Sequence, residues 1–160
     1  MRKAIEYASI PTLKTRIRGE VISPGEEHYH EARRVWNGRI DKYPSLIVCC
    51  VDITDVLTTL EFARRWDIAV AVRSGGHSMV GYSVTDGGIV IDLSRMKSMW
   101  VDPVRRIAQA QAGLTLGEFV RQAQAIGLAT TTDRLGNRHW GADTGWRHWL
   151  VNGEIRDDHR

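Results

Sequence analysis

Two short apolar runs, Leu46 to Val51 and Ile68 to Val72, constrain this chain more than any other feature. Each has the length of a strand, and a run apolar at every position has to be covered on both faces. Between them, Thr54-Asp55 supplies side chains that cap a helix, and Val56, Leu60 and Ala63 follow on one face of it. Strand, helix, strand at this spacing predicts parallel strands joined by a right-handed crossover. With 160 residues, 42% of them apolar and 26% charged, there is material for one ordinary core.

The flanks extend this pattern. Arg18 to Ile22 is a short extended piece ending at the turn Ser23-Pro24-Gly25. Tyr29, Ala32, Val35 and Trp36 recur at helical spacing and Asn37-Gly38 closes the segment, so a helix is expected there with Tyr29 and Trp36 in the core. Downstream, Asp86-Gly87-Gly88 marks a turn, Ile89 to Leu93 a strand, and Ile107 to Ala112 a further strand beyond Asp102-Pro103. Thr115-x-x-Glu118 fits a capping box, opening a helix that carries Leu116, Phe119, Val120 and Ala123, with Gly127 just past its end. Through Thr132 the chain reads as a coherent α+β fold.

Several function classes drop out. No apolar run approaches the roughly 20 residues of a membrane-spanning helix, and the first residues lack the apolar stretch of a secretory leader. A cytoplasmic location with no membrane partner is therefore expected. The net charge of +3 is spread out, with Arg33-Arg34, Arg64-Arg65 and Arg105-Arg106 as isolated pairs, so no nucleic-acid partner is expected. Cys49 and Cys50 are adjacent, which suits neither a disulfide staple nor a Cys-x-x-Cys site. His28 and His30, two apart at a helix start, point their rings apart, so no metal is expected. Hydrolase chemistry has no support, because no Gly-x-Ser-x-Gly elbow is present.

The chemistry is expected in the loop Arg73-Ser74-Gly75-Gly76-His77-Ser78, directly after a buried strand. Paired glycines let the backbone turn tightly and aim several N–H groups at one point, a nest that suits a phosphate. Arg73 adds a positive charge and Ser78 a hydroxyl toward the same anion. Spacing alone fits an empty tight turn equally well. From Gly76 to Ser83 the spacing is that of a P-loop, but Tyr82 stands where the phosphate-binding lysine belongs, and no Gly-x-Gly-x-x-Gly is present. Asp92 is a carboxylate at a strand end, a position more often used to bind turn N–H groups than a cofactor.

Taken together, Arg73 to Ser78, Gly81-Tyr82-Ser83, Asp86 to Met96 and Gln111-Ala112-Gly113 resemble the FAD-linked oxidases of the berberine-bridge-enzyme-like group, whose FAD domain is of the PCMH type. Arg18 to Ile22, Tyr29, Ala32-Arg33, Val35-Trp36-Asn37, Pro44 and Leu46 to Val48 also match the N-terminal approach of bacterial members. The resemblance implies the N-terminal part of such a domain: a small βαβ-containing subdomain and the start of a second. Residues 1–40 would be the approach segment and 41–132 the partial FAD-binding domain. It further implies that Arg73, Ser74, Gly75, Gly76, His77, Ser78 and Gly81 hold FAD, with His77 as covalent anchor to the 8α-methyl of the flavin. A neutral imidazole nitrogen is nucleophilic near neutral pH, which suits that role. The intact parent would oxidise a small organic substrate by hydride transfer, and its acid or base would lie beyond this chain.

Residues 133–160 depart from the family, which continues with a glycine-rich segment and then a substrate domain. The tail instead holds Trp140, Trp146 and Trp149, half of the six tryptophans. Tryptophan has the single codon TGG, and reading one base further on turns each into glycine. Back-translated and read in that frame, Asp133 to Arg160 yields a sequence that begins T-V-S-E-T-G-I-G-A-L-T-L-G-G-G-I-G-W-L with permitted codons and is similar to the family's missing segment. The tail is thus expected to derive from a frameshift, leaving a truncated chain inactive as written. The alternatives are a non-catalytic module that binds an anionic surface through the Trp-bearing tail, or a fragment without function.

Overall fold

A computed structural model describes residues 9–129 and the backbone of residues 148–150. In chain order the elements are α1 (Ile10–Arg16), β1 (Glu20–Ile22), α2 (Tyr29–Ala32), β2 (Leu46–Cys49), α3 (Ile53–Arg65), β3 (Val70–Arg73), β4 (Ile89–Asp92), β5 (Met99–Asp102), β6 (Ile107–Ala110), α4 (Leu116–Gln124) and β7 (His148–Leu150). They form a four-stranded sheet in the order β1-β2-β4-β3 and a three-stranded sheet in the order β5-β6-β7. This is the mixed helix and strand architecture expected.

Successive side chains of a strand point to opposite faces, so the solid apolar run of β2 feeds two cores. Leu46 and Val48 join Ile89 and Ile91 against Leu13 of α1 and Phe62 and Ala63 of α3. On the other face, Ile47 and Cys49 join Ala71, Val90, Ile22 and Tyr29. The strands flanking the crossover helix are parallel, but not to each other directly. β4, buried at all four positions, sits between them, with Ile47 and Ala71 both opposite Val90. That leaves β3 at the edge, where Val72 is 53% exposed, so the second run is covered less than expected.

Two local expectations need correction. The cap of α3 is Asp52, whose Oδ1 accepts from the Thr54 and Asp55 N–H groups at 2.9 and 3.1 Å. The helix therefore begins earlier than Thr54, and Asp55 lies inside it, fully buried. Its carboxylate accepts from the N–H groups of Arg18, Gly19 and Val51 and pins the entry to β1 beside the end of β2. The buried face of α3 carries Thr59, Phe62 and Ala63, while Leu57 and Leu60 are exposed. The second correction concerns α2, which ends at Ala32. Tyr29 is core, its hydroxyl donating to the Pro44 carbonyl at 2.7 Å, but Trp36 is 62% exposed. Beyond Arg33 the chain leaves the helix to run beside the loop after β3, where the Trp36 N–H donates to the Gly76 carbonyl, and this turns the indole outward.

In the second sheet β5 and β6 are antiparallel, and the backbone of β7 adds to β6 in antiparallel register. The capping box of α4 is present, Thr115 and Glu118 each accepting from the other's backbone N–H. Phe119, Ala123 and Leu128 pack on Ala108 and Ala110. Apart from the β7 backbone, the tail expected to arise from a frameshift lies outside the described residues.

Candidate functional site

Strands β3 and β4 end opposite one another on Arg73 and Asp92. Asp92 Oδ2 accepts from Arg73 Nε at 2.9 Å and from Nη2 at 2.5 Å, and both side chains are buried. A third guanidinium nitrogen, Nη1, donates to the Arg34 carbonyl at 3.3 Å, and Asp92 Oδ1 accepts the Ser94 N–H at 2.8 Å. The free positive charge expected of Arg73 at an anion is thus answered within the protein. Its guanidinium braces the ends of two strands, because a charge this buried has to be paired. Asp92 takes the turn-binding role that its position suggests.

The loop that leaves Arg73 is tied at both ends. Ser74 Oγ donates to the Ala112 carbonyl at 2.5 Å, joining the loop to the segment after β6. Ser78 Oγ accepts the Tyr82 N–H at 3.1 Å and closes the turn that follows. Gly76 and Gly81 have φ of +64° and +76°, the left-handed region in which a side chain is strained, so glycine is required at both. His77 stands between them, half-buried, with Nδ1 shielded from solvent. Among the described residues, no backbone hydrogen bond uses the N–H groups of Ser74, Gly75 or Gly76. Adjacent N–H groups at the carboxyl end of a parallel strand are suited to hold an anion. Ser83 Oγ is buried nearby in sequence and has no hydrogen-bond partner among the described residues.

The structure therefore gathers Arg73, Ser74, Gly75, Gly76, His77, Ser78 and Gly81 in one continuous loop, with Arg73 as brace. Sequence reasoning missed the segment that supports it. Arg34, Trp36, Asn37, Ile40 and Lys42 all meet residues between Arg73 and Val84, and contacts across some 40 positions leave no periodic trace.

A cleft of about 270 Å³ opens at the carboxyl ends of β2, β3 and β4, lined among others by Glu20, Cys49, Arg73, Asp92 and Arg95. Within it Arg95 pairs with Glu20 at 2.6 Å and Arg73 with Asp92. Burial pushes the Cys49 thiol up to about 11 and the Cys50 thiol up to about 12, so neither supplies a thiolate for chemistry.

Comparison with known proteins agrees with this geometry. Residues 44–141 match the family described as FAD binding domain. The chain is 38% identical over 116 residues to (R)-6-hydroxynicotine oxidase of Paenarthrobacter nicotinovorans, a match covering 72% of this chain and 25% of that protein. It is 34% identical over 124 residues to the FAD-linked oxidoreductase YgaK of Bacillus subtilis, covering 78% and 28%. A solved variant of the BBE-like 1 protein of Physcomitrella patens superposes with a TM-score of 0.73 at 23% identity, over 79% of this chain and 28% of that one, and shares the fold. The chain thus spans about a quarter of the length of the curated relatives it matches. Strand order, glycine loop and sequence lead to one assignment, and this chain belongs to the FAD-binding domain family of the FAD-linked oxidoreductases.

Proposed function

We propose that this chain holds the pyrophosphate of FAD on the loop Ser74 to Ser78, with His77 as the covalent anchor, in an oxidoreductase that oxidises a small organic substrate. The observation that carries the reading is that, among the described residues, no backbone hydrogen bond uses the N–H groups of Ser74, Gly75 or Gly76. Adjacent N–H groups that make no backbone hydrogen bond can share one oxyanion as acceptor. The residues present therefore fit the cofactor. When bound, the flavin supplies the redox chemistry, accepting a hydride from the substrate and passing electrons to dioxygen or another acceptor.

What this chain contributes is placement. Ser74 anchors the loop to Ala112, Arg73 and Asp92 hold its root, and Gly76 and Gly81 give it curvature. His77, half-buried between Gly76 and Ser78, is the residue that would tether the flavin. No catalytic acid or base is assigned among the described residues. The test is to purify the chain, load it with FAD and denature it in acid. Yellow colour that stays with the polypeptide, and is lost in His77→Ala, supports the anchor; soluble protein that takes up no FAD refutes the reading.

We further propose that residues 133–160 are read from a shifted frame, although the family match extends to residue 141. Glycines forced from the tryptophan codons, at the places where the family has glycine, support this. Resequencing through the Thr132 codon decides it: a long open frame beginning with the glycine-rich segment is expected, and its absence makes the tail genuine.

A further inference from the structure

The segment Arg34 to Lys42 lies along the flavin-binding loop and meets it at successive points. The Trp36 N–H donates to the Gly76 carbonyl at 3.1 Å, and Asn37 Nδ2 donates to the Met79 carbonyl at 2.8 Å. Lys42 Nζ donates to the Gly81 carbonyl at 2.9 Å and to the Val84 carbonyl at 3.2 Å. Ile40 fills the space beside Gly81, where an added Cβ would lie 2.8 Å from Ile40 Cγ2. From Met79 to Tyr82 the loop has little of its own to hold it. Met79, Val80 and Tyr82 are exposed, and between Ser78 and Tyr82 the turn is tied internally by the Gly81 N–H to the Ser78 carbonyl and the Tyr82 N–H to Ser78 Oγ. A loop with so few buried apolar contacts opens readily unless something else closes it.

We propose that Asn37 and Lys42 are positioning residues that clasp the loop around His77 in its cofactor-receiving shape before any cofactor arrives. The purpose of the clasp rests on the FAD reading above, but the clasp stands on the contacts themselves. Asn37 is already oriented toward the loop. Its Oδ1 accepts the Arg39 N–H at 3.1 Å in an Asx-type turn, which leaves the amide nitrogen to face Met79. Lys42 contributes charge-assisted bonds to main-chain carbonyls from a half-buried stem, and such bonds are stronger than neutral ones. Preorganised in this way, the loop need not be ordered when the ligand binds, so that entropy is not subtracted from affinity.

The test uses Asn37→Asp, Lys42→Met and Lys42→Arg in the whole chain. Asn37→Asp keeps the turn to Arg39 but sets a carboxylate oxygen against the Met79 carbonyl; Lys42→Met keeps the stem and removes the donors; Lys42→Arg retains them. Amide exchange of residues 76–84 without cofactor is read first, then affinity for free FAD by quenching of flavin fluorescence. Each loss of a charge-assisted or oriented bond is expected to speed exchange in the loop about tenfold and to weaken FAD binding about tenfold, with β2 and β4 amides unchanged and Lys42→Arg within about twofold of the parent. Loop exchange within about twofold of the parent in both Asn37→Asp and Lys42→Met overturns the proposal. So does faster exchange spread evenly over the chain, or an open loop that binds FAD undiminished. If the parent chain binds no FAD, the flavin reading fails while loop exchange still decides the clasp.

Discussion

Removing the guanidinium of Arg73 tests whether it serves the fold or the ligand. In Arg73→Met, Asp92 keeps the Ser94 N–H on Oδ1 but loses both donors on Oδ2, and its buried side chain is left with an uncompensated charge. Breaking a buried pair from one side destabilises by about 3 to 5 kcal/mol. Near 4 kcal/mol, a domain of this size loses roughly 15 °C in Tm, a large share of a typical stability. The assay is urea unfolding of the FAD-free chain followed by tryptophan fluorescence, for Arg73→Met, Asp92→Leu and the double variant. The double variant should be more stable than the sum of the singles predicts by at least about 2 kcal/mol, because it leaves no orphan charge behind. If Arg73→Met costs under about 1 kcal/mol and instead abolishes FAD binding, Arg73 is a free charge at the pyrophosphate and the brace is refuted.

Further outcomes follow from the same structure. Neither Cys49 nor Cys50, pushed up to about 11 and about 12 by burial, should react with Ellman's reagent at about pH 8 in the folded chain, while both react in denaturant; rapid native labelling would contradict their burial. Lys97, donating to Glu118 at 2.7 Å, and the Thr115 N–H hold the Glu118 carboxyl down at about 2. Its folded value lies below the unfolded one, so its contribution is complete above about pH 4.3 and fades as pH falls toward about 2, by on the order of 1 kcal/mol for a solvent-screened pair. Glu118→Gln should flatten that part of the pH–stability curve while keeping α4, read by circular dichroism. Gly113→Ala places a Cβ 2.2, 2.6 and 2.7 Å from the carbonyl oxygens of Leu93, Met96 and Ser94. Backbone cannot give way as a side chain can, so a loss of about 3 kcal/mol is expected on urea unfolding. Gly38→Ala, with nothing within 4 Å, serves as the near-neutral control.

Local patterns carry most of the fold. The buried run at β2, the turn before β4 and the Thr115–Glu118 capping box are each set by a few neighbouring residues, and the structure places them where those residues indicate. The helix face of α3 and the length of α2 depart from the apolar spacing for one reason. Apolar spacing says that a face exists, but which residues turn inward depends on where the helix starts and what it packs against. For α3 the start is Asp52 and the neighbour is α1; for α2, the chain has to leave the helix to reach Gly76.

The candidate site divides in the same way. Its glycines are legible because left-handed turns demand glycine whatever surrounds them, while His77 is singled out only by the family resemblance. The roles of Arg73, Asn37 and Lys42 are not, since a guanidinium, an amide or an ammonium has no fixed partner until the chain is folded. Sequence by itself determined that a glycine-rich loop with tight turns follows the strand β3, because backbone geometry and residue type are local properties. Only the tertiary structure decided that the positive charge at the loop's root is spent on Asp92 and that a distant segment clasps its crest. Electrostatic pairing and burial are properties of three-dimensional neighbours, and those are set by strand order rather than by distance along the chain.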